Sequence, residues 1–223
     1  MRAFLKKLTH PFLKKGLQWY YSRPRKYQYG EIEVLVHPDV FPPHLTLSTK
    51  ILLDFMSSME LQKKRFLELG CGSGIISLYA SKKGAKVTAT DINPTALIYL
   101  QKAADKHKLS LEIIHSDLFE KLQNHYFDCI FINPPYYPRK AKTIKEQAWF
   151  CGEDFNYFKQ LFQQLPKYIE DNTDIYMILS EDCQIATIKE IAANYGSFLE
   201  LIHEKKVAAE MNYIFKINKI SKT

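Results

Sequence analysis

The residues best suited to chemistry stand in the stretch FINPPYYP, residues 131–138. Asn133 offers a side-chain oxygen and Pro134 a carbonyl oxygen, and the fixed φ angles of Pro134 and Pro135 leave these acceptors little freedom. Two oxygens held in this way could accept hydrogen bonds from both N–H groups of a planar NH₂ group, while the ring of Tyr136 lies against its flat face. The simpler alternative is a loop whose prolines end a strand and whose tyrosines pack on a neighbour.

A second candidate site is the glycine-rich segment FLELGCGSG, residues 66–74, in which Gly70, Gly72 and Gly74 alternate. Glycine permits a tight turn and a close approach of the backbone to a ligand, and the start of the following helix presents free N–H groups. The spacing is GxGxG rather than the GxGxxG of dinucleotide-binding proteins, which argues against a dehydrogenase. On its own, such a turn could be purely structural.

Two aspartates follow the next predicted strands at the same edge of the sheet. Asp91 ends the segment VTATD, and Asp117 ends IIHSD. An acid in the first of these places can accept both hydroxyls of a ribose, although either residue alone could be a helix cap or a turn residue. Three strand ends that all carry ligand-type residues are hard to attribute to turn chemistry alone, so we expect a nucleoside-containing ligand.

The apolar patterns around these residues alternate between strand and helix. They predict helices at 47–59, 75–82, 95–107, 155–169 and 184–194, and strands at 31–36, 65–69, 86–90, 111–115, 127–132, 174–179, 198–205 and 212–217. Thr46 or Ser48 is the expected cap of the first helix. Strands that alternate with helices indicate an α/β fold with a mostly parallel sheet, and the last two strands indicate an antiparallel hairpin at its edge.

Positive charge is concentrated at the N-terminus of this 223-residue chain. The net charge is +7, yet residues 1–30 hold eight basic and no acidic residues, which leaves the rest near neutrality. We expect a basic arm, residues 1–45, with a short helix and a strand, and a domain at residues 46–223, which the resemblance described below implies is catalytic. The arm has an amphipathic pattern that suits contact with RNA, an acidic partner or a membrane surface, or packing on the body.

Composition also argues against several classes of protein. No run approaches the roughly 18 apolar residues of a membrane span, and lysines interrupt the N-terminus where a signal peptide needs an apolar stretch, so we expect a cytoplasmic protein. The cysteines, at positions 71, 129, 151 and 183, are too widely spaced for structural zinc or a thioredoxin motif. We expect buried, reduced thiols and no metal site.

With these motifs in place, residues 46–217 resemble the class I S-adenosylmethionine-dependent methyltransferases. The resemblance implies a seven-stranded, Rossmann-like sheet with an antiparallel last strand. It also implies that Glu68 and the glycine turn serve the methionine part of S-adenosylmethionine, that Asp91 holds the ribose, and that Asp117 and Leu118 bracket the adenine. Asn-Pro-Pro-Tyr after the fourth strand is similar to the signature of enzymes that methylate a planar NH₂ group, which places Asn133 among both cofactor and acceptor residues.

A finer match lies in STKILLDFM, which resembles the helix start of the HemK-type protein glutamine methyltransferases and implies that Thr49 approaches the cofactor's carboxylate. This match, with the neutral body, favours a protein glutamine side chain, of the release-factor type, as the methyl acceptor. The alternative is a base nitrogen of RNA or DNA, adenine N6 or guanine N2, because the same motif occurs in such enzymes. Basic residues of the arm and of the loop at 139–145 could contact a protein, such as a release factor or a ribosomal protein, or RNA. A non-catalytic partner-binding module is a further hypothesis.

Overall fold

The computed structural model describes residues 22–44, 46–170, 172–207 and 210–220. The amphipathic segment predicted in the arm lies outside these residues. The described chain begins with an antiparallel hairpin of β1 (Arg25–Tyr29) and β2 (Ile32–Val36). The second strand was predicted at 31–36, whereas the first strand was not predicted.

Seven further strands form one sheet within the described residues. They are β3 (Arg65–Leu69), β4 (Lys86–Asp91), β5 (Leu111–His115), β6 (Cys129–Ile132), β7 (Asp174–Ser180), β8 (Ser197–Val207) and β9 (Glu210–Lys219). Their spatial order is β5-β4-β3-β6-β7-β9-β8. The strands from β3 to β7 pair in parallel, while β9 pairs antiparallel with both β7 and β8. The predicted fold, a mostly parallel seven-stranded sheet with an antiparallel C-terminal hairpin, is confirmed.

Helices cover both faces of the sheet. They are α1 (Ser48–Ser57), α2 (Ile75–Lys82), α3 (Pro94–His107), the short α4 (Ile144–Gln147), α5 (Asn156–Gln164) and α6 (Ile185–Asn194), and a 3-10 turn, Leu165–Lys167, extends α5. One apolar core lies between α1, α2, α3 and the sheet, and a second lies between α5, α6 and the opposite face. Burial on both faces explains why β6 is an unbroken apolar run, CIFI.

The N-terminal hairpin packs on the first of these cores. Ile32, Val34 and Val36 of β2 are buried in the same cluster as α1, α2 and α3. Buried and more exposed residues alternate along the strand, which places these three side chains on one face of the hairpin. The hairpin therefore contributes to the hydrophobic core beside α1, α2 and α3.

Two local predictions need comment. Helix α1 has no side-chain cap, and Leu47 occupies the N-cap position, so the expected cap at Thr46 or Ser48 was wrong. The hydroxyl of Ser48 is engaged elsewhere, as described below. The four cysteines are free and buried, as predicted. No helix in the described ranges is long and apolar enough to cross a membrane.

Candidate active site

A cavity of about 330 Å³ lies at the carboxyl ends of β3 and β4. Most of the residues predicted to hold a ligand line it together: Thr49, Glu68, Gly70, Gly72, Asp91, Asp117, Leu118 and Asn133. This is the edge at which parallel α/β sheets bind ligands. Its volume is within the range of small-molecule sites.

Gly70 and Gly74 of the glycine turn have different structural roles. Gly70 adopts φ +78°, and a Cβ added there would meet no atom within 4 Å, so its missing side chain leaves open space. The N–H groups of Gly70 and Cys71 donate to the carbonyl of Thr90, which ties the turn to β4. Gly74 does not line the cavity; a Cβ there would overlap Leu100 of α3, so this glycine allows helix packing.

Asp91 accepts two backbone hydrogen bonds through its carboxylate. Gly72 N–H donates to Oδ2 at 2.7 Å, and Asn93 N–H donates to Oδ1 at 2.8 Å. Burial raises the pKa of Asp91, and the backbone donors oppose that shift. A carboxylate has about four lone-pair sites, so Asp91 can still accept a hydroxyl group from a ligand in the cavity.

Glu68 is the most buried acid of the cavity, with 5% of its surface exposed. Its Oε2 accepts hydrogen bonds from the backbone N–H of Ser77 and from the Ser77 hydroxyl, both in the first turn of α2. Burial raises the pKa of Glu68 to about 8, despite these donors. Glu68 therefore carries a proton near neutral pH until a positive group enters the cavity.

The remaining ligand-type residues close the rim of the cavity. Thr49, the second residue of α1, is 5% exposed and lines the cavity beside the glycine turn. Asp117 is exposed, and partial burial together with the charge of Glu120 raises its pKa. Leu118 is buried and adopts a left-handed φ of +46°.

Asn133 stands where this cavity meets a second, smaller one. The second cavity, of about 140 Å³, lies between the start of α1, the end of β7 and the start of β9. Asn133 lines both cavities. Asn133 Nδ2 donates to the hydroxyl of Ser48 at 3.2 Å. Because Nδ2 is used in this bond, Oδ1 is the atom left to accept from a bound group.

The rest of the Asn-Pro-Pro-Tyr motif divides between the two cavities. Pro135 lines the larger one and Tyr136 the smaller one, whereas Pro134 is buried and lines neither. Burial raises the pKa of Tyr136 well above its ordinary value, so its hydroxyl stays protonated. The rings of Tyr136 and Tyr137 lie 4.8 Å apart and form an aromatic wall.

A lid that the sequence did not predict covers the larger cavity. The backbone of Tyr137 exchanges hydrogen bonds with Trp149 and Cys151, so the chain returns beside the motif after α4. Trp149 packs on Phe41 with ring centroids 4.7 Å apart, and Lys145 pairs with Asp39 at 3.7 Å. These contacts join the loop before α1 to the segment after the motif.

The basic loop at 139–145 is part of this lid. Lys140, Ala141 and Ile144 line the larger cavity, not the smaller one. Arg139 and Lys142 are exposed. The basic loop thus lies on the side of the Asp91 carboxylate rather than around the mouth of the smaller cavity.

Comparison with known proteins agrees with this arrangement. The family model of the methyltransferase small domain matches residues 31–206, more than half of the chain. The chain belongs to the methyltransferase small domain family. It is an S-adenosylmethionine-dependent N-methyltransferase, and the predicted resemblance to the HemK-type group is confirmed.

Relatives within this methyltransferase family carry names from two substrate classes. A Methanocaldococcus jannaschii protein, provisionally named protein N5-glutamine methyltransferase MJ0928, is 32% identical over 155 residues, 67% of this chain and 76% of that protein. The release factor glutamine methyltransferase of Dictyoglomus turgidum is 32% identical over 78% of this chain and 66% of its own length. The ribosomal RNA small subunit methyltransferase C of Mannheimia succiniciproducens is 34% identical over 74% and 52%.

Solved methyltransferase structures share the fold. A methyltransferase from Pyrococcus furiosus superposes with a TM-score of 0.62 at 19% identity, over 83% of this chain and 88% of that one. The Thermus thermophilus 16S rRNA N2 G1207 methyltransferase, solved with S-adenosylmethionine and guanosine, superposes with a TM-score of 0.59 at 17% identity, over 87% and 50%.

The lining of the larger cavity fits S-adenosylmethionine chemically. The carboxyl groups of Glu68, Asp91 and Asp117 face a space that also has an open backbone at Gly70. Carboxylates suit the ammonium group, the sulfonium and the ribose hydroxyls of this cofactor, and buried Leu118 supplies an apolar contact for a base. Within the described residues, Lys140 is the one basic side chain of the lining.

Proposed function

We propose that this methyltransferase acts on a planar carboxamide, the side-chain NH₂ of a glutamine in a protein. The observation that carries the proposal is the position of Asn133 at the junction of two cavities. The larger cavity has the acids and open glycine backbone that suit the cofactor. The smaller cavity has room for a flat polar group and a wall formed by Tyr136 and Tyr137.

The motif would hold the acceptor nitrogen by its two N–H bonds. Asn133 Oδ1 accepts one of them, since its Nδ2 is bound to Ser48. We propose that the carbonyl of Pro134 accepts the other, although the residue itself lines neither cavity. An amide nitrogen is a weak nucleophile because its lone pair is delocalised over the carbonyl. Two oxygens that stabilise positive charge growing on nitrogen therefore lower the barrier, and orientation lowers it further.

When bound, S-adenosylmethionine supplies a methyl group on a positively charged sulfur. On the protein side, Thr49, Glu68, Asp91, Asp117 and Leu118 hold the cofactor, and Asn133 lies between it and the acceptor. The acceptor nitrogen gains the methyl group, the cofactor is left as the neutral thioether, and the surplus proton of the nitrogen passes to water. No strong base is required, because the N–H becomes acidic as positive charge develops on nitrogen.

The charge around the smaller cavity favours a protein acceptor. Asp182 and Glu210 line it, and none of its described lining residues is basic. A nucleic acid would bring phosphates to this rim, where two carboxylates repel them. A glutamine on a neutral or basic protein segment meets no such repulsion. A release factor or ribosomal protein, encountered in the cytoplasm, is the partner that we propose.

A base nitrogen of ribosomal RNA is the second candidate. A relative named for small-subunit ribosomal RNA is 34% identical to this chain, and aromatic walls such as Tyr136 and Tyr137 can stack on a base. In that case the exposed Arg139 and Lys142, with the basic N-terminal arm, would contact phosphates.

Labelled cofactor distinguishes the two candidates. The full chain is incubated with isotopically labelled S-adenosylmethionine and either purified release factors, ribosomal proteins, or protein-free ribosomal RNA, and products are identified by mass spectrometry. We expect methylated glutamine in a protein and no labelled base. Label found in RNA alone would overturn the glutamine proposal, and a matched Asn133→Ala variant should transfer no label to either.

A further inference from the structure

Asn212 carries a buried donor that has no partner in the described structure. The residue lies in β9, is 2% exposed and lines the smaller cavity. Its Nδ2 has no hydrogen-bond partner, although less than 1 Å² of the atom is exposed. A buried amide N–H without a partner destabilises the folded protein, so a donor of this kind indicates a partner that enters the cavity.

The position of Asn212 in the sheet suggests what it meets. β9 pairs antiparallel with β7, and Asn212 stands opposite Ser180. Ser180 in turn lines the smaller cavity together with Tyr136 of the motif. The unpaired donor therefore belongs to the same cavity as the motif, on the wall formed by β7 and β9.

We propose that Asn212 Nδ2 donates to the carbonyl oxygen of the acceptor carboxamide. This inference rests on the proposed glutamine methylation and extends it. A carboxamide presents one carbonyl oxygen and one NH₂ group, and the smaller cavity offers a donor in Asn212 and an acceptor in Asn133. Asn212 thus binds the carbonyl oxygen of the amide, and Asn133 binds its NH₂ group. Asn212 therefore determines specificity for a group that has a carbonyl beside its nitrogen.

Two rim acids sharpen this specificity. Asp182 and Glu210 line the same cavity and would repel a carboxylate of similar shape, such as a glutamate side chain. A lysine or ornithine amine would be attracted to the rim but would leave the Asn212 donor unpaired. A neutral carboxamide is not repelled by the two acids, and its carbonyl oxygen pairs with the Asn212 donor.

Isosteric peptides test the inference on the unaltered protein. The probes are end-blocked peptides with lysines at both ends and one central residue between glycines. Three peptides differ only in the central residue. The first has glutamine. The second has its methyl-ketone isostere, which keeps the carbonyl but has no NH₂, and the third has a hydrocarbon side chain of matching shape. We expect the ketone peptide to inhibit methylation of the glutamine peptide at a concentration about ten-fold or more below that of the hydrocarbon peptide. Equal inhibition by the two would overturn the inference.

The Asn212→Leu variant tests the same contact from the protein side. It removes the amide and keeps similar volume, so we expect KM for the glutamine peptide to rise about ten-fold or more. The melting temperature should be unchanged or higher, because an unpaired buried donor is replaced by an apolar group. Cofactor affinity should stay within two-fold, since Asn212 does not line the larger cavity.

Asn218→Leu is the matched control on the same strand. Asn218 donates to Glu200 at the exposed edge, away from both cavities, so its loss should leave KM unchanged. An unchanged KM in Asn212→Leu, with the unaltered enzyme active on the peptide, would overturn the role of Asn212 and leave glutamine methylation standing. Transfer by the unaltered enzyme to RNA alone, with none to peptide or release factor, would overturn both proposals.

Discussion

Asn133 donates its side-chain Nδ2–H to the hydroxyl oxygen of Ser48, at 3.2 Å. The two residues are 85 positions apart in the chain and meet because the start of α1 lies beside the end of β6. The bond decides which atom of the amide faces the acceptor. Ser48 also donates to Thr46 at 3.3 Å, which fixes the hydroxyl as an acceptor toward Asn133.

Ser48→Ala should therefore reduce catalysis without unfolding the site. With its Nδ2 unpaired, the Asn133 amide can rotate, and misorientation of this kind costs about 10- to 100-fold in kcat. We expect cofactor affinity by calorimetry to remain within two-fold. Ser48→Thr, which keeps the hydroxyl, should restore most of the rate.

Ser57→Ala is the control for that experiment. Ser57 is an exposed residue at the other end of the same helix, and its hydroxyl donates to the carbonyl of Asp54. Its kcat should equal that of the unaltered enzyme. An equal loss of rate in the two variants, or no loss in Ser48→Ala, would show that Ser48 does not position Asn133.

Asp91→Asn should weaken cofactor binding. The carboxylate accepts from Gly72 N–H and Asn93 N–H, and an asparagine amide can accept only one of these bonds while its NH₂ opposes the other. A lost charge-assisted hydrogen bond is worth about 1.5–3 kcal/mol, so we expect Kd for S-adenosylhomocysteine to rise about 10- to 100-fold. Calorimetry on Asp105→Asn, an exposed residue of α3 that pairs with Gln101, should show an unchanged Kd.

Gly70→Ala and Gly74→Ala should fail in different ways. Both glycines have positive φ, so alanine costs about 1–2 kcal/mol of backbone strain at either site. At Gly74 the added methyl also overlaps Leu100, which we expect to cost a further 1–3 kcal/mol or so. Thermal unfolding should therefore show the larger loss of melting temperature for Gly74→Ala.

For cofactor affinity we expect the opposite order, with the larger loss in Gly70→Ala. The methyl of Gly70→Ala enters the open space of the larger cavity, whereas that of Gly74→Ala points into the packed helix. Binding measured on the folded fraction should fall more for Gly70→Ala. Equal effects of both substitutions on stability and affinity would contradict the division of roles.

Glu68 should make the stability of the cofactor-free protein depend on pH. Burial raises its pKa from an ordinary value of 4.5 to about 8, so between these values the folded chain holds a proton that the unfolded chain releases. The free energy of unfolding therefore falls as pH rises from about 4.5 to about 8, and the loss is complete above the folded pKa.

Glu68→Gln measures that contribution. The neutral amide still accepts from Ser77 and carries no charge to bury, so the variant should melt at a higher temperature than the unaltered protein at pH 9. A gain of about 1 kcal/mol corresponds to about 2–4 °C for a chain of this size. The difference should shrink at pH 6, and a difference independent of pH would refute the assignment.

Local patterns in the sequence predicted the elements well where apolar strands alternate with amphipathic helices. The bounds of β3, β5 and α2 agree with their predicted ranges, because each is delimited by polar or glycine residues next to an apolar run. The strand at 25–29 was missed, since its residues, RKYQY, alternate only weakly and are half exposed. The lid at 139–152 was missed because its contacts are with Phe41 and Asp39, far away in the chain.

The sequence by itself determined the fold class, the family and the edge of the sheet at which the ligand-type residues gather, because strand ends and glycine turns are encoded in neighbouring residues. Tertiary structure alone decided which way the Asn133 amide faces, through Ser48, and which residue stands across the smaller cavity from the motif. Asn212 reaches that place because β9 inserts antiparallel between β7 and β8. Strand order depends on long-range packing, which no local pattern reveals.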